Sequence, residues 1–279
     1  MPPRAASRKS SIVVDGLSVV VPTYNETLNI RPLCERLFSS IKKQNPALAV
    51  ELFYVDDESQ GTKKTLEIVK ELVKEGYPVR IHSRKKSQGR GLSSAVLLGF
   101  NEATYEAILC MDADLQHEPE SVYSVALPVL SGNAEFTVGS RYCGGGGFGF
   151  DWAIHRKLIS GTATALAWGV SRSTDPMSGF FCTTKKVLAR GAARINPIGF
   201  KIGLEVMARC RANPVVDVPI TFQSRIAGES KLTMKQNIYY VQQLIALYWD
   251  KSPILFILLV IAMLYIVYAV AITGSRMPM

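Results

Sequence analysis

Short apolar runs recur along the chain, and polar turns follow them. The runs span residues 17–21, 50–55, 79–82, 107–109, 136–140, 181–183 and 215–222. The run from Leu17 to Val21 lacks the alternation of a half-exposed strand, which is typical of a buried parallel strand. Apolar residues at helical spacing follow the first two runs, namely Leu33, Leu37 and Ile41, and then Leu66, Val69 and Val73. This order predicts an α/β fold with an open, mostly parallel sheet and helices on both faces.

The turn after residues 107–109 carries the strongest candidate chemistry. Residues 110–117 read Cys-Met-Asp-Ala-Asp-Leu-Gln-His, and Glu118-Pro119-Glu120 predicts the start of a helix. Asp112 and Asp114 can face one cleft where the strand breaks into a turn, at the sheet edge where open α/β folds bind ligands. Carboxylates suit Mg2+ or Mn2+, which share their remaining positions with phosphates and water. The turn therefore predicts a site for a metal and a diphosphate; the alternative is an acidic cap on the next helix.

Two other predicted strand ends carry groups that suit a nucleotide. Pro22 ends the first strand, because it cannot donate to the ladder. Tyr24 then offers a ring for stacking, and Glu26 offers an acceptor for a ribose or a base. Asp56 and Asp57 repeat this arrangement after the second strand. The simpler alternative is that polar residues of the first turn only cap the following helix. No glycine-rich dinucleotide fingerprint follows the first strand, so a dinucleotide-binding fold is not favoured.

Basic and glycine-rich segments lie between these elements. A basic cluster precedes the helix predicted over 92–100, and it is equally consistent with phosphate contact and with a solvated face; its residues are Arg80, Arg84, Lys85, Lys86 and Arg90. Residues 144–149 are glycine apart from Phe148, and they predict a mobile loop, because glycine loses the most backbone entropy when it is fixed. A polar loop at 224–231 carries Arg225 and Lys231, two cations that could close over a diphosphate.

The C-terminal part of the chain has the pattern of a membrane protein. Residues 254–272 carry no charge, and a helix of that length spans ~28 Å, close to the ~30 Å hydrocarbon core of a bilayer. We therefore predict a transmembrane helix over 253–273, preceded by an amphipathic helix over 233–250. A helix over 151–170 carries Trp152 and Trp168, which favours the membrane interface over a plain core position.

Composition narrows the classes of partner. Residues 1–15 are small, polar and basic and are expected to be disordered; they lack the apolar core of a secretory signal, so the catalytic part is expected in the cytosol. Five scattered cysteines without a CxxC pair favour reduced thiols and argue against zinc. The net charge of +9 suits phosphates or an acidic membrane. Without an accompanying RNA- or DNA-binding motif, it does not favour nucleic acid as a partner.

In combination, the motifs resemble those of the family-2 glycosyltransferases of GT-A fold, and most closely the dolichol-phosphate mannose synthases. The resemblance covers about residues 17–250. It rests on Val-Pro-Thr-Tyr-Asn-Glu at 21–26, Val-Asp-Asp at 55–57, Asp-Ala-Asp-Leu-Gln-His at 112–117, Gly-Ser-Arg-Tyr at 139–142, Asp-Pro-Met-Ser-Gly-Phe at 175–180, and Arg225 with Lys231. The chain departs from the family pattern at Glu58, where glycine is usual, and at residues 87–92, where the turn is usually richer in glycine and carries lysine.

The resemblance implies a Rossmann-like GT-A catalytic domain over 16–232, and it implies a role for each matching residue. The residues implied to bind the donor nucleotide are Pro22, Tyr24, Glu26, Asp56 or Asp57, Ala113, Arg225 and Lys231. Those implied to bind Mg2+ or Mn2+ and the diphosphate are Asp112, Asp114 and Gln116. Asp112 and Asp114 would form the catalytic set together with Arg225 and Lys231. Those implied to bind the acceptor phosphate are Arg141, Arg156 and Ser160.

The implied reaction transfers mannose from GDP-mannose to dolichyl phosphate, with inversion, at the cytosolic face of the endoplasmic reticulum membrane. Its product, dolichyl phosphate mannose, would serve protein glycosylation and GPI anchors. The implied partners are the two substrates and the membrane lipid, without an obligatory anchoring subunit, because a single terminal span resembles the one-chain form of the enzyme. Two alternatives stay open: a glucosyl transferase that uses UDP-glucose, since no residue separates GDP from UDP, and a tail-anchored nucleotide-sugar-binding protein without activity. A processive polysaccharide synthase is not favoured, because such enzymes carry several spans and a Gln-x-x-Arg-Trp motif.

Overall fold

The computed structural model describes residues 15–85, 87, 91–149, 154–224, 234–254, 256–258 and 261, with 154–159 and 234 described through their backbone. Two predicted segments fall largely outside these ranges, namely the N-terminal residues 1–14 and the transmembrane helix over 253–273. None of the helices within the described ranges has both the length and the apolar character that a bilayer span requires. The transmembrane helix therefore stays a prediction.

Strands and helices alternate through the first half of the chain, as the sequence pattern predicts. The strands are β1 (Leu17–Thr23), β2 (Val50–Asp56), β3 (Val79–Ser83), β4 (Ala107–Cys110), β5 (Phe136–Ser140), β6 (Gly147–Phe148), β7 (Phe181–Thr184), β8 (Val215–Pro219) and β9 (Thr221–Phe222). The helices are α1 (Ile30–Gln44), α2 (Thr62–Lys74), α3 (Leu92–Glu102), α4 (Val122–Leu130), α5 (Ile154–Ala167), α6 (Lys185–Ala189), α7 (Ile202–Arg209) and α8 (Met234–Lys251). Short 3-10 turns precede α1 and α4 at Thr27–Asn29 and Pro119–Ser121, and another lies at Ala192–Arg194.

Within the described residues, seven strands form one sheet in the order β3-β2-β1-β4-β7-β5-β8. Every neighbouring pair is parallel except the two that involve β7, which runs antiparallel to β4 and to β5. Because Thr23 pairs with Asp56 and Val20 with Cys110, the carboxyl ends of β1, β2 and β4 meet at one edge. The start of β7 joins the same edge from the opposite direction. The prediction of a mostly parallel α/β sheet is confirmed.

Helices cover both faces of the sheet, and β1 shows how its side chains divide between them. Leu17, Val19 and Val21 point into a core shared with α1, α2 and α4. Val20 points into a second core, formed with α3, α7 and α8. The alternation follows from the two-residue period of a strand, and both sets are apolar because helices bury both faces.

Two local predictions need correction. The run 215–222 does not form one strand: it breaks at Ile220, so that β8 joins the main sheet and β9 pairs in parallel with β6. Residues 147–148, predicted as part of a mobile loop, form strand β6. Gly146 allows a close approach, since a Cβ there would lie 2.5 Å from the carbonyl oxygen of Ser140.

The spacing of apolar residues also gave a partly wrong buried face for α2 and did not predict two short helices. In α2 the buried side chains are Thr65, Val69 and Leu72, whereas Val73 is exposed. The short helices α6 and α7 follow β7. The sequence did not predict them, because each is too short to show a clear helical period of apolar residues. The buried face of α7 packs in the second core with α8, so tertiary packing rather than local pattern decides these elements.

Candidate functional site

The two aspartates of the central turn lie at the sheet edge where the strand ends converge. Strand β4 ends at Cys110, and the amide of Met111 still donates to the carbonyl of Val20 at 3.3 Å. The backbone then turns, with Leu115 in the left-handed region at a φ of 61°. The side chain of Asp112 is 34% exposed, while Asp114 is buried and its Oδ1 accepts from the amide of Gln116 at 3.2 Å.

Gly179 lies against Asp112 and leaves room for its carboxylate. A Cβ at this position would stand 3.2 Å from both carboxylate oxygens of Asp112. Gly179 precedes β7, so the antiparallel strand brings the segment 175–180 to the same edge as the central turn. A larger residue at position 179 would therefore crowd the carboxylate of Asp112.

The donor set of the turn fits a hard divalent cation. Asp112 and Asp114 supply carboxylate oxygens and Gln116 supplies an amide oxygen, the donors that Mg2+ and Mn2+ accept. No group of three His, Cys, Asp or Glu side chains suited to a metal occurs in the described part of the chain. Two carboxylates leave coordination positions for phosphate oxygens and water, which is how Mg2+ is commonly bound beside a nucleotide.

His117 fills the space behind the turn. Its ring lies between those of Phe180 and Phe222, with centroids 5.1 Å and 5.2 Å away. Its Nδ1 accepts from the amide of Asp112 at 3.4 Å. Burial lowers the pKa of His117 to about 4, so the imidazole is neutral near pH 7. The histidine therefore packs against and supports the turn as a neutral acceptor.

The two aspartates after β2 have different surroundings. Asp56 is buried, and its carboxylate accepts hydrogen bonds from the hydroxyls of Thr23, Ser59 and Thr62 and from the amide of Ser59. These contacts give Asp56 a structural role in joining β1 to the start of α2. Of the pair that the sequence left open for the nucleotide, Asp57 is the residue without such a local network of hydroxyls.

Asp57 instead pairs with a residue of the basic cluster. Its Oδ1 bonds the Nη2 of the buried Arg84, and its Oδ2 accepts from the amide of Gly91 at 2.8 Å. Arg84 also donates to the hydroxyl of Ser94 at 2.9 Å. Arg80, the first residue of that cluster, stacks on Phe53 and bonds Glu51. Arg84 is buried in its ion pair and so does not belong to a solvated face, whereas the side chain of Arg80 stays 38% exposed beside Glu51.

The turn after β1 presents the other residues predicted to bind the nucleotide. Contrary to the sequence prediction, Pro22 does not end β1: it lies within the ladder opposite Val55, and the strand runs to Thr23. Tyr24, which follows, is exposed. Glu26 accepts from the side-chain amide of Asn29 at 2.8 Å. Asn25 adopts a left-handed φ of 59°, and its side chain accepts from the amide of Gln60 at 2.9 Å. The turn is thus tied to the loop after β2, and the two predicted nucleotide-binding segments lie together.

The residues predicted for the acceptor phosphate are partly brought together. Arg141 follows β5 and is held by Asp175, a residue of the segment before β7. Ser160 on α5 shares a hydrogen bond of 3.0 Å with the hydroxyl of Tyr142, the neighbour of Arg141. The side chain of Arg156, and all of Arg225 and Lys231, lie outside the described residues, so their roles stay predictions.

Lys201 is a candidate that sequence reasoning missed. It precedes α7, and its Nζ donates to the carbonyl of Met177 at 3.0 Å, in the segment that also carries Asp175. Burial, together with the charge of Arg141, lowers the pKa of Lys201 to about 8, against the opposing effect of Asp112 and Asp175. A half-buried lysine in the field of these residues suits contact with an anion. No local motif marks it, since its partners lie far away in the chain.

The fold and this edge define a class of protein. A Rossmann-like sheet with two carboxylates at the end of a central strand has the architecture of a nucleotide-sugar glycosyltransferase. Residues 18–190 match the Glycosyl transferase family 2. The chain belongs to that family, and it is a glycosyltransferase.

Curated relatives agree with this assignment, and a solved structure shares the fold. The chain is 43% identical over 254 residues to the dolichol-phosphate mannosyltransferase of Mycosarcoma maydis, covering 88% of this chain and 85% of the relative. It is 47% identical over 237 residues to the dolichol-phosphate mannosyltransferase of Saccharomyces cerevisiae, covering 83% of this chain and 86% of the relative. In fold it is similar to a mannosyltransferase of Pyrobaculum calidifontis solved with GDP-Man and Mn2+, with a TM-score of 0.53, 16% identity, and coverage of 88% of this chain and 68% of that one.

Proposed function

We propose that this glycosyltransferase transfers mannose from GDP-mannose to dolichyl phosphate, at the cytosolic face of the endoplasmic reticulum membrane. The observation that carries the proposal is the pair of aspartates at the end of β4, in a chain that matches named dolichol-phosphate mannosyltransferases over most of its length. The product would be dolichyl phosphate mannose, a donor for protein glycosylation and GPI anchors. The proposal includes a single chain that needs no anchoring subunit.

The proposed chemistry is a direct, inverting displacement. A phosphate oxygen of the acceptor attacks the anomeric carbon of mannose, the bond from that carbon to the GDP oxygen breaks, and GDP leaves with the electron pair. A phosphate monoester has a second pKa of ~6, so it is largely dianionic near pH 7 and needs no general base. His117, the histidine at this site, is buried and neutral, and the proposed reaction does not need it as a base.

Charge neutralisation and positioning would supply the catalysis. Asp112, Asp114 and the amide oxygen of Gln116 would hold Mg2+ or Mn2+, which when bound neutralises charge on the leaving diphosphate. Lys201 would add a positive charge from beneath the segment 175–180. Arg225 and Lys231 would act from the loop before α8, as the resemblance implies. Tyr24, Glu26 and Asp57 would bind the nucleoside.

Arg141, Arg156 and Ser160 would bind the acceptor phosphate. For Arg141, the contact with Asp175 fixes the orientation of the guanidinium before the substrate arrives. Fixing the orientation in advance reduces the entropy that is lost on binding. The neighbouring bond between Tyr142 and Ser160 links this region to α5, which is one of the two helices proposed to lie at the membrane.

Helix α8 supports the proposed membrane location, because it is apolar on two sides. Its buried side packs Leu244 and Leu247 into the second core. The opposite side exposes a stripe of apolar side chains at helical spacing, namely Ile238, Val241, Ile245 and Trp249. The helix is tied to α5 by hydrogen bonds from Tyr240 to the carbonyl of Ala163 and from Tyr248 to that of Leu166. Leu166 at the end of α5 and Trp168 just after it are also exposed, and exposed apolar side chains on linked helices suit a lipid interface.

Transfer of labelled sugar in detergent tests the function. The full chain is incubated with dolichyl phosphate and either GDP-mannose or UDP-glucose, with Mn2+ or with EDTA. We expect transfer from GDP-mannose that EDTA abolishes. Transfer from UDP-glucose instead would show that the enzyme is a glucosyl transferase. No transfer from either donor would favour the binding protein without activity.

The Asp114→Ala variant tests the proposed metal site within the same assay. We expect a loss of transfer of ~100- to 1000-fold, because the variant lacks a carboxylate ligand of the cation that would neutralise the leaving diphosphate. Glu35→Ala is the matched control, since it removes an exposed carboxylate on α1 that pairs with Arg31 and is not part of the central turn. Near-normal transfer by Asp114→Ala would contradict the assignment, provided that both variants give the same circular dichroism spectrum.

A further inference from the structure

The segment after β9 is bonded to the metal-binding turn along both of its sides. The amide of Gln223 donates to the carbonyl of Gln116 at 2.9 Å. The side-chain Nε2 of Gln116 donates to the carbonyl of Gln223 at 3.0 Å. The side-chain Nε2 of Gln223 donates to Oε1 of Glu118 at 2.8 Å. Three hydrogen bonds therefore join Gln223 to the turn, and each has the length of a good N–H···O bond.

These bonds decide which end of the Gln116 amide faces which way. An amide side chain has a donor nitrogen on one side and an acceptor oxygen on the other, and only the oxygen is a suitable ligand for Mg2+ or Mn2+. The carbonyl of Gln223 can accept from Nε2 but cannot bond Oε1. Rotation of the amide by 180° would place two oxygens against each other, so the contact holds Oε1 on the side away from Gln223.

The position of the Gln223 carbonyl depends in turn on the Gln223 side chain. That side chain lies between Glu118, to which it donates, and Gly149, which follows β6. A Cβ on Gly149 would clash with Oε1 of Gln223, so the glycine leaves the space that the side chain occupies. Glu118 lies two residues after Gln116, and its bond fixes the register between the turn and the segment after β9.

We propose that Gln223 is a positioning residue for metal binding. Through Glu118 and the paired bonds to Gln116, it holds the amide of Gln116 so that oxygen, not nitrogen, is presented to the divalent cation. Partners that orient a metal ligand commonly contribute ~10- to 100-fold in metal affinity. The inference rests on the proposed function, since it assumes that Asp112, Asp114 and Gln116 bind the cation.

Binding of Mn2+ to the full chain in detergent, with GDP present, tests the inference without any turnover. Free Mn2+ is measured by electron paramagnetic resonance, and the thermal transition by circular dichroism. We expect Gln223→Leu to weaken Mn2+ binding by about tenfold, because the bond to Glu118 is lost. An unchanged dissociation constant in a folded Gln223→Leu protein would overturn the inference while leaving the proposed function in place. If the wild-type chain binds no Mn2+ with GDP present, the metal site itself fails, and the inference with it.

A pair of variants at Glu118 separates positioning from general destabilisation. Glu118→Leu removes the acceptor and should weaken Mn2+ binding as Gln223→Leu does. Glu118→Gln keeps an oxygen at the same place and should restore most of the affinity. Gln223→Leu combined with Glu118→Leu should cost no more than either change alone, because both remove one bond. If Glu118→Gln is as weak as Glu118→Leu, the inference is wrong, even where Gln223→Leu itself does not fold. If Gln223→Leu folds and the two losses add, the inference is also wrong.

Discussion

Both carboxylate oxygens of Asp175 bind the guanidinium of Arg141, with Nε to Oδ2 at 2.7 Å and Nη2 to Oδ1 at 2.8 Å. The pair is buried, with side-chain exposures of 9% for Arg141 and 0% for Asp175. Burial alone lowers the pKa of Arg141, but the bonds to Asp175 outweigh it and raise that pKa above its ordinary value. The arginine therefore keeps its charge at the sheet edge, in an orientation that the protein sets.

This relationship predicts a large effect of removing the carboxylate. Asp175→Ala leaves a buried guanidinium without its counter-charge, and we expect a loss of ~3–5 kcal/mol in the free energy of unfolding. Glu135→Ala is the matched control, because Glu135 binds Arg190 through two similar bonds at a more exposed place. That change should cost about 1 kcal/mol. Urea denaturation measures the free energy of unfolding of both variants. Equal losses would show that burial of the pair of Arg141 and Asp175 does not increase its contribution to stability.

From the contacts of Glu51 we predict that the free energy of unfolding depends on pH. Burial raises its pKa, but hydrogen bonds from Ser18 and Thr104 and the contact with Arg80 outweigh this, so the pKa lies below the ordinary 4.5. For a lowered carboxyl pKa, the stabilisation is present above about pH 4.5 and is lost as the pH falls through the lower, folded-state value.

The Glu51→Gln variant tests this linkage. Near pH 7 the change should cost about 2 kcal/mol, because bonds to a charged acceptor are replaced by weaker ones. The difference in stability from the wild type should shrink as the pH falls from about 4.5 through the lower folded-state pKa, since the Glu51 carboxyl of the unfolded chain takes up a proton first and that of the folded protein follows. Urea denaturation at a series of pH values measures it. A difference that stays constant from pH 7 to pH 3 would contradict the proposed linkage.

Two helical glycines predict opposite effects of the same substitution. Gly99 of α3 lies against β1, and a Cβ there would clash with the side chain of Val20. Gly161 of α5 has no atom near the position of its missing Cβ. We expect Gly99→Ala to destabilise by ~1–3 kcal/mol through overpacking and Gly161→Ala to stabilise by ~0.5–1 kcal/mol. Thermal unfolding of both variants measures this, and the prediction fails if their transitions shift in the same direction.

The apolar stripe of α8 predicts a selective effect on the lipid substrate. Ile245→Asp places a charge in the exposed stripe, and we expect the KM for dolichyl phosphate in vesicles to rise by about tenfold. This is the size expected when the proposed lipid contact no longer buries one apolar side chain. The KM for GDP-mannose should stay unchanged, because the side chain lies away from the sheet edge. Asn237→Asp adds the same charge at an exposed polar position of the same helix and serves as the control. An equal rise in both variants would argue against a specific lipid contact.

The central turn shows why part of the site was predictable from local sequence. Asp112 and Asp114 follow an apolar run directly, and a strand that ends in a turn must present such residues at its carboxyl edge. The same reasoning located Tyr24 and Glu26 after β1. It could not separate Asp56 from Asp57, because the Thr23 hydroxyl that bonds Asp56 and the Arg84 guanidinium that bonds Asp57 are distant from them in the chain.

The sequence by itself determined the alternation of strands and helices, the edge at which the acidic residues gather and the family. These depend on hydrophobic period and on residue types at short spacing, which are local properties of the chain. The tertiary structure alone decided that Asp175 holds Arg141, that Lys201 lies beneath the site and that Gln223 bonds the turn. It also decided the break of 215–222 at Ile220. Each of these contacts joins segments far apart in the chain, and their pairing is set by the packing of whole elements, which no short pattern records.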